Sequence, residues 1–254
     1  MLPLRSRISR FLASAPVEAS MIGWRWVLAD RILRRMGIKE VWLKPKGLRH
    51  RVACRIASSD KYEYIQSLGR GRTPLNLPIR PKIIVDAGAN VGYSVLRFQQ
   101  QFPGAVIIAL EPEHSNIAQF KKNCAAYSNI ILEEKALWSA STRLRISTFD
   151  ADHNGYRVEE DTDGDIEAIC VKDIINQHHL PRIDLLKVDI EGSEKIIFSH
   201  SDAKNWLQFV NMVLIETHDR FMPGCSEAVG KALENMFDCR GYIDEYSFYV
   251  RKPG

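Results

Sequence analysis

Residues 83–92 read Ile-Ile-Val-Asp-Ala-Gly-Ala-Asn-Val-Gly, and this stretch decides the fold. Its β-branched start is typical of a strand that is buried in a parallel sheet. Gly88 and Gly92 then supply a turn at positions where a Cβ would obstruct a ligand or the next helix. Their spacing matches neither the three-glycine dinucleotide loop nor the phosphate-binding loop that ends in Lys-Ser/Thr. The pattern therefore predicts a strand, a nucleotide-cofactor loop of another kind, and a helix.

Two acidic residues indicate which cofactor this loop would bind. Asp86 precedes the first glycine, where a carboxylate would complement a positive charge. S-adenosylmethionine carries two such charges, an ammonium and a sulfonium. Glu111 follows the apolar run 106–110 and lies 23 residues after Gly88, the interval at which a βαβ unit presents an acid to a ribose diol. We therefore predict an S-adenosylmethionine site; the alternative for Glu111 is a solvated acid at a strand end.

Strand and helix patterns alternate from residue 81 onward. Strands are predicted near 82–87, 106–111, 129–135, 183–189 and 210–216, and helices near 92–102, 114–126, 192–204 and 225–238. A polar insert over 150–165 interrupts the alternation and could cover a site. The tail from Gly241 adds one or two strands without a following helix. The sequence thus predicts an α/β fold, a doubly wound and mostly parallel sheet with an antiparallel last strand.

The N-terminal third differs from the rest in charge. Residues 1–80 hold 17 Lys plus Arg against 5 Asp plus Glu, whereas residues 81–254 hold 18 against 26. Arginines lie among apolar residues over 1–40, which is typical of a helix that contacts an anionic membrane or substrate. The alternative is a helix that packs on the main domain with its arginines in solvent. A hairpin over 41–57 and a capped helix follow, so we predict a basic helical and hairpin extension over 1–80 and a cofactor-binding domain over 81–254.

Composition excludes several other classes of protein. The chain has 254 residues, of which 45% are hydrophobic, enough to bury a full core. No run reaches 18 apolar residues, so no transmembrane helix is expected, and the broken apolar start argues against a signal peptide. The five cysteines are scattered and form no CxxC pair, which favours reduced thiols in a cytoplasm over a zinc cluster. No feature predicts a DNA partner.

A second group of charged residues follows two further strands. The segment from Asp184 to Glu194 reads Asp-Leu-Leu-Lys-Val-Asp-Ile-Glu-Gly-Ser-Glu, and it places Asp189 and Glu191 at the carboxyl end of its strand. Glu216 and His218 follow the next strand and share a face, because alternate residues of an extended chain point the same way. Ligands of open α/β sheets bind at these strand ends, so the four side chains should face the same crevice as Gly88. The alternative is a structural ion network around Lys187.

Taken in order, these motifs resemble the FkbM family of S-adenosylmethionine-dependent methyltransferases over residues 83–220. The shared segments are Val-Asp-Ala-Gly-Ala-Asn-Val-Gly, Glu111-Pro, Lys-Val-Asp-Ile-Glu-Gly-Ser-Glu and Glu-Thr-His. The resemblance implies a class I methyltransferase fold and methylation, usually of a hydroxyl on a sugar, polysaccharide precursor or secondary metabolite. It also implies site roles. The cofactor contacts are Asp86, Gly88, Asn90, Gly92, Glu111, Asn116, Ala136, Leu137 and Asp189, and the acceptor contacts are Arg55, Asp60 and Glu191.

The catalytic step leaves two roles open for the acids and the imidazole. A hydroxyl acceptor must lose a proton, and His218 is the first candidate for the general base, since imidazole titrates near neutrality. Alternatively, Asp189, Glu216 and His218 could hold a divalent cation that lowers the pKa of the hydroxyl.

Two other functions remain as alternatives at this point. The basic extension could make the chain an RNA-binding protein or an RNA methyltransferase, although no familiar RNA-binding element accompanies it. A membrane-peripheral enzyme that contacts lipid through residues 1–40 is a further possibility.

Overall fold

The computed structural model describes residues 24–69, 74–150 and 155–253, with only the backbone of 146–150 and 155–158. The chain divides into two compact units, Met1–Pro74 and Leu75–Gly254. The sequence predicts this boundary near residue 80. The part of the basic extension over residues 1–23 lies outside the described residues. Within the described residues, no helix combines the length and the apolar character needed to cross a bilayer.

The first unit contains the predicted hairpin between two helices. Its elements are α1 Trp24–Arg35, β1 Glu40–Leu43, β2 Val52–Arg55 and α2 Asp60–Leu68. Strands β1 and β2 pair antiparallel. Helix α1 buries Val27 and Asp30, and the Asp30 carboxylate makes ion pairs with Arg34 at 2.7 Å and with Lys61 at 3.3 Å. These contacts define the inner face of α1 and neutralise its acid.

The second unit holds the remaining elements. They are β3 Ile83–Ala87, α3 Tyr93–Gln101, β4 Val106–Leu110, α4 His114–Cys124, β5 Ile130–Glu133, β6 Ala136–Leu137, β7 Thr142–Asp150, β8 Gly155–Glu160, β9 Ile166–Ile169, α5 Val171–Gln177, β10 Leu185–Val188, α6 Glu194–Ser199, α7 Ala203–Leu207, β11 Met212–Ile215, α8 Cys225–Leu233, β12 Phe237–Ile243 and β13 Tyr246–Arg251.

A seven-stranded sheet in the order β12-β13-β11-β10-β3-β4-β5 forms the centre of this unit. The five strands from β11 to β5 run parallel, and β13 pairs antiparallel with both β11 and β12. This is the strand order of a class I methyltransferase fold, and it confirms the predicted doubly wound sheet with its antiparallel end. A second sheet, β6-β9-β7-β8, carries the segment between β5 and α5.

The strand order reverses between β3 and β10, which creates a crevice at their carboxyl ends. Both strands are almost wholly buried, as expected for parallel strands covered on two faces. Apolar side chains from the strands and from α5 to α8 pack together in one core, which includes Val85, Leu186, Phe198 and Trp206. The crevice therefore lies at the ends of strands that are buried in the main core.

Three elements differ from the expectations drawn from the sequence. The helix expected over 192–204 is two short helices, α6 and α7, and the helix expected over 225–238 ends at Leu233, with β12 beginning at Phe237. The polar insert over 150–165 contains β8, which pairs antiparallel with β7. The two helix predictions were too long because the chain turns at residues that are neither Gly nor Pro. The insert forms a strand because its backbone pairs with β7, which apolar spacing does not reveal. Whether the insert covers a site stays a prediction.

Candidate active site

The two glycines of the loop after β3 serve different contacts. Gly88 has φ +80°, and a Cβ there would overlap the backbone oxygen of Asp189. Gly92 has φ +91°, and its Cβ would lie 2.8 Å from the Cys124 sulfur at the end of α4. The positive φ angles favour glycine at both positions. Gly88 therefore permits the loops after β3 and β10 to touch, whereas Gly92 permits close packing of α3 on α4.

Asp86 is fully buried near the end of β3, and other side chains of the protein contact its carboxylate. Its carboxylate lies 3.2 Å from the Lys187 ammonium and accepts a hydrogen bond of 2.6 Å from Ser94. Burial raises the pKa of Asp86, and the charge of Lys187 opposes that rise. The positive charge that the sequence led us to expect from a cofactor is thus supplied by Lys187. Asp86 contacts the loop indirectly, through the ammonium of Lys187. A direct contact of Asp86 with a cofactor stays a prediction.

Lys187 joins the glycine loop to the acidic residues after β10. Its ammonium donates a hydrogen bond of 2.9 Å to the carbonyl of Gly88 and lies 3.4 Å from Asp189 Oδ2. Asp86 and Lys187 are cross-strand partners in the pairing of β3 with β10. One buried lysine therefore fixes both sides of the crevice.

Glu111 is buried at the end of β4, and its carboxylate reaches the glycine loop. It accepts hydrogen bonds of 2.9 Å from the backbone amides of Asn90 and Glu113, and one of 3.3 Å from the side chain of Asn116. Burial raises the pKa of Glu111, and these donors oppose the rise. A carboxylate has about four acceptor positions, so this one keeps capacity for a further hydroxyl.

The other predicted cofactor residues occupy different surroundings. Asn90 has φ +49°, a conformation that asparagine tolerates, and this turns its amide toward Glu111. The side chain of Asn116 donates a hydrogen bond to Glu111. Ala136 packs with Trp138 in the core of the second sheet, while Leu137 belongs to the main core. Both are buried, so any contact with an adenine stays a prediction.

His218 lies at the centre of the acidic cluster and is only 3% exposed. Its Nε2 atom is 3.7 Å from Asp189 Oδ1, 3.6 Å from Glu191 Oε2 and 3.7 Å from Glu216 Oε1. Asp189, Glu216 and His218 each offer one donor atom, and these atoms lie within 4.8 Å of one another. The structure thus brings together the three residues that were predicted as base or cation ligands. It also adds Glu191, which was predicted as an acceptor contact.

Contacts outside the cluster orient two of its members. His218 Nδ1 lies 2.8 Å from Oε1 of Glu194, a carboxylate that is fully buried at the start of α6. Asp189 Oδ2 accepts a hydrogen bond of 3.1 Å from the Tyr246 hydroxyl, besides its contact with Lys187. The remaining atoms, His218 Nε2 and Asp189 Oδ1, therefore face each other across the cluster.

The concentration of carboxylates changes the protonation of the cluster. Burial by itself would lower the pKa of His218, but the hydrogen bond and charge of Glu194, with the charges of Glu191 and Asp189, raise it to about 9. Burial and the charge of Asp189 raise the pKa of Glu216 to about 7. With no cation bound, the imidazole carries a proton at neutral pH and cannot accept another.

Two predicted acceptor residues belong to the first unit and pair with each other. The Arg55 guanidinium contacts the Asp60 carboxylate at 2.7 Å, and the Arg55 amide donates to the same carboxylate at 2.9 Å. Asp60 is 1% exposed, so its charge is satisfied within the hairpin and helix α2. Their role toward an acceptor stays a prediction.

The sequence assigned no binding or catalytic role to Glu194 or Tyr246, and it gave Lys187 a role only in the alternative, a structural ion network; Lys187 does pair with Asp86 and Asp189. Lys187 and Glu194 lie within the conspicuous segment Asp184 to Glu194, where a lysine inside an apolar strand signals a buried partner. Tyr246 begins the last strand and carries no local signal. Its contribution depends on the antiparallel pairing of β13 with β11.

Comparison with known proteins identifies the family of this chain and several relatives. The family model described as Methyltransferase FkbM domain matches residues 86–243. The methyltransferase sdnD of Sordaria araneosa is 29% identical, over 56% of this chain and 68% of that protein. The 31-O-demethyl-FK506 methyltransferase FkbM of Streptomyces tacrolimicus is 24% identical, over 56% and 67% of the two chains.

A similar structure is the crystal structure of methyltransferase FkbM from Methylobacillus flagellatus, with 16% identity and a TM-score of 0.45. That match covers 76% of this chain and 52% of the Methylobacillus chain, so this chain spans about half of its length. The family model covers more than half of the present chain and includes the glycine loop, Glu111 and the His218 cluster. The chain belongs to the FkbM methyltransferase family.

Proposed function

We propose that this protein transfers a methyl group from S-adenosylmethionine to a hydroxyl oxygen of a small molecule or glycan. The observation that carries the proposal is the crevice between β3 and β10, where Lys187 joins the glycine loop at 2.9 Å to Asp189 at 3.4 Å. One side of this crevice has the features of a cofactor site and the other has those of a proton-accepting or cation-binding site.

The residues on the first side fit the cofactor. Glu111 is buried, is held by the amide of Asn90 and keeps acceptor capacity, as a ribose diol requires. The loop from Gly88 to Gly92 would hold the methionine part through backbone groups. When bound, the cofactor supplies an activated methyl carbon.

The transfer is an in-line displacement. A lone pair of the acceptor oxygen forms the new C–O bond, the C–S bond breaks with its electron pair going to sulfur, and the hydroxyl proton leaves to a carboxylate or to water. Holding the reactants in line can supply roughly 7 to 11 kcal/mol of the barrier. A carboxylate of Asp189 or Glu216 would accept this proton, and the cationic imidazole of His218 would offset the negative charge that develops on the oxygen.

The acceptor class follows from the chemistry and from the relatives. An oxygen nucleophile needs help to lose its proton, and an array of carboxylates with an imidazole suits that need. The name of the Streptomyces protein, 24% identical, gives 31-O-demethyl-FK506 as its substrate, which indicates methylation of an oxygen. We therefore propose a hydroxyl of a sugar, polysaccharide precursor or secondary metabolite as the acceptor.

A methyl-transfer assay tests the proposal. Labelled S-adenosylmethionine would be incubated with sugars and polyketides that carry hydroxyls, and in parallel with analogues in which an amine replaces the hydroxyl. We expect label in base-stable ethers, and no transfer by a Glu111→Ala variant. Transfer to the amines but not to the hydroxyls would contradict the assignment.

We also propose that the enzyme works at an anionic membrane surface. Trp24, Leu28 and Ile32 form a stripe along α1 with exposed fractions of 52%, 50% and 59%. The acid of this helix is neutralised on the opposite face, while Arg25 and Arg35 are exposed beside the stripe. An apolar stripe between cations matches an anionic lipid surface. Flotation with phosphatidylserine vesicles tests this, since Leu28→Glu with Ile32→Glu should abolish binding; unchanged binding would reject it.

A further inference from the structure

The geometry points to a binding site for one divalent cation, of the Mg²⁺ or Mn²⁺ type, formed by Asp189, Glu216 and His218. This inference rests on the proposed function, because the ion would lie beside the acceptor hydroxyl whose proton must leave. It goes beyond that function in assigning the cluster a resident ion in place of a general base.

The three donor atoms lie within 4.8 Å of one another, close enough for small side-chain movements to bring them around one ion. His218 Nε2 lies 3.7 Å from an oxygen of Asp189 and 3.7 Å from an oxygen of Glu216. After such movements the donors can share an ion about 2.1 Å from each, which is the coordination distance of Mg²⁺. All three residues follow adjacent parallel strands, β10 and β11, so rigid elements hold the donors.

The ring nitrogen of the buried His218 that faces the cluster provides an independent indication, because no hydrogen-bond partner stands near it among the described residues. His218 is 3% exposed, and its Nε2 atom points into the cluster but lies at least 3.6 Å from each neighbouring carboxylate oxygen. These distances exceed a hydrogen bond. Oε2 of Glu191, which faces the same nitrogen, is also buried without a hydrogen-bond partner in the described part of the chain. The Arg220 guanidinium lies 3.9 Å from this oxygen. A cation at the centre would give the His218 nitrogen a partner and would add to the positive charge beside Glu191.

The contacts around the cluster match those that orient metal ligands. A ligating histidine usually donates its other ring N–H to a carboxylate. Here Oε1 of Glu194 lies 2.8 Å from His218 Nδ1 and can accept that hydrogen bond. Tyr246 and Lys187 hold Oδ2 of Asp189, which leaves Oδ1 for the ion. Two of the three ligands are therefore oriented before any ion arrives.

The donor set indicates which ion is bound. Two carboxylates supply hard oxygen donors, and a single imidazole is tolerated by Mn²⁺ and Mg²⁺. Glu191 adds a third carboxyl group close to the same point, so the site carries negative charge that a divalent cation would balance. Coordination positions that the protein leaves open would be available to water or to the acceptor hydroxyl.

The experiment is a titration of Mn²⁺ into the full chain, followed by electron paramagnetic resonance of the free ion and by thermal unfolding. We expect one bound ion per chain and a rise in Tm with Mn²⁺ concentration. Glu216→Ala and His218→Asn should each weaken binding by more than about tenfold. Glu194→Gln, which removes the charge that orients His218 but keeps an oxygen for the amides of Ile190 and Gly192, should weaken it by about 10- to 100-fold.

Controls separate this inference from the proposed function and from misfolding. Glu227→Ala, at an exposed acid on α8, should bind Mn²⁺ like the natural chain. Glu216 is 34% exposed, so its replacement should leave the fold and its circular dichroism intact and keep the test decisive. Absence of Mn²⁺ binding at millimolar concentration, or natural affinity in Glu216→Ala, would overturn the cation site. A separate titration with S-adenosylmethionine tests the proposed function. Its result does not depend on whether Mn²⁺ binds.

Discussion

Replacing Lys187 by methionine should destabilise the protein more than any surface change, because it leaves the buried carboxylate of Asp86 without its counter-charge. Lys187 is 2% exposed and Asp86 is 0% exposed, with 3.2 Å between their charges. At an effective dielectric constant of about 20, that separation corresponds to an attraction of about 5 kcal/mol. Removing one partner of a buried pair typically costs about 3 to 5 kcal/mol, so we expect Lys187→Met to lower the free energy of unfolding by that amount.

The loss should depend on pH with a defined sign. Burial already raises the pKa of Asp86, and Lys187 opposes that rise, so removing Lys187 raises the pKa further. A carboxyl group whose folded pKa exceeds its unfolded value of about 3.9 favours folding at low pH, and that stability is lost as pH rises through the folded pKa. Lys187→Met should therefore be less destabilising at pH 5 than at pH 8.

Urea denaturation at both pH values, followed by circular dichroism, measures these effects. Adding Asp86→Asn to Lys187→Met removes the stranded charge and keeps a partner for the Ser94 hydroxyl, so the double variant should be more stable than the single one. Lys204→Met, at an exposed lysine on α7, should change stability by less than about 0.5 kcal/mol. A loss under about 1 kcal/mol for Lys187→Met, equal at both pH values, would refute the reasoning.

Two further outcomes follow from the same crevice. Gly88→Ala should lower Tm sharply, since its Cβ would overlap the Asp189 carbonyl, whereas Gly104→Ala, with open space around it, should be neutral; equal Tm values would contradict the loop contact. With a chelator present, the raised pKa of His218, about 9, should favour folding below its unfolded value of about 6.5. That contribution, about 3 kcal/mol at most, should be lost as pH rises through 9, and a His218→Asn variant measured by urea denaturation should lack this loss.

The sheet was largely predictable because its signals are local. The β-branched run before Gly88 and the apolar run before Glu111 each predict a parallel strand. Both strands lie at the predicted positions. The expected helix over 225–238 was too long because residues 234–236 contain no Gly or Pro, although the chain turns there before β12. Apolar spacing alone does not distinguish the end of a helix from the start of an exposed edge strand.

The site was predictable only in part, because its decisive contacts join residues that are distant in sequence. The segment around Asp189 and the pair Glu216 and His218 were correctly expected to meet, since parallel strands end at one edge. The partner of Asp86 was not foreseen: Lys187 lies 101 positions further along the chain and becomes its neighbour only through the register of β3 with β10. Tyr246 enters in the same way, from a strand whose position depends on the whole sheet.

A calorimetric titration of the full chain with S-adenosylmethionine tests the central claim most directly. The account predicts one bound cofactor per chain, and an affinity that falls by more than about tenfold in Glu111→Ala, which removes the carboxylate proposed to hold the ribose. Glu113→Ala, which changes the N-cap of α4 but leaves Glu111 in place, should bind far better than Glu111→Ala. No heat of binding to the folded chain, or equal binding by the Glu111→Ala variant, would contradict the account.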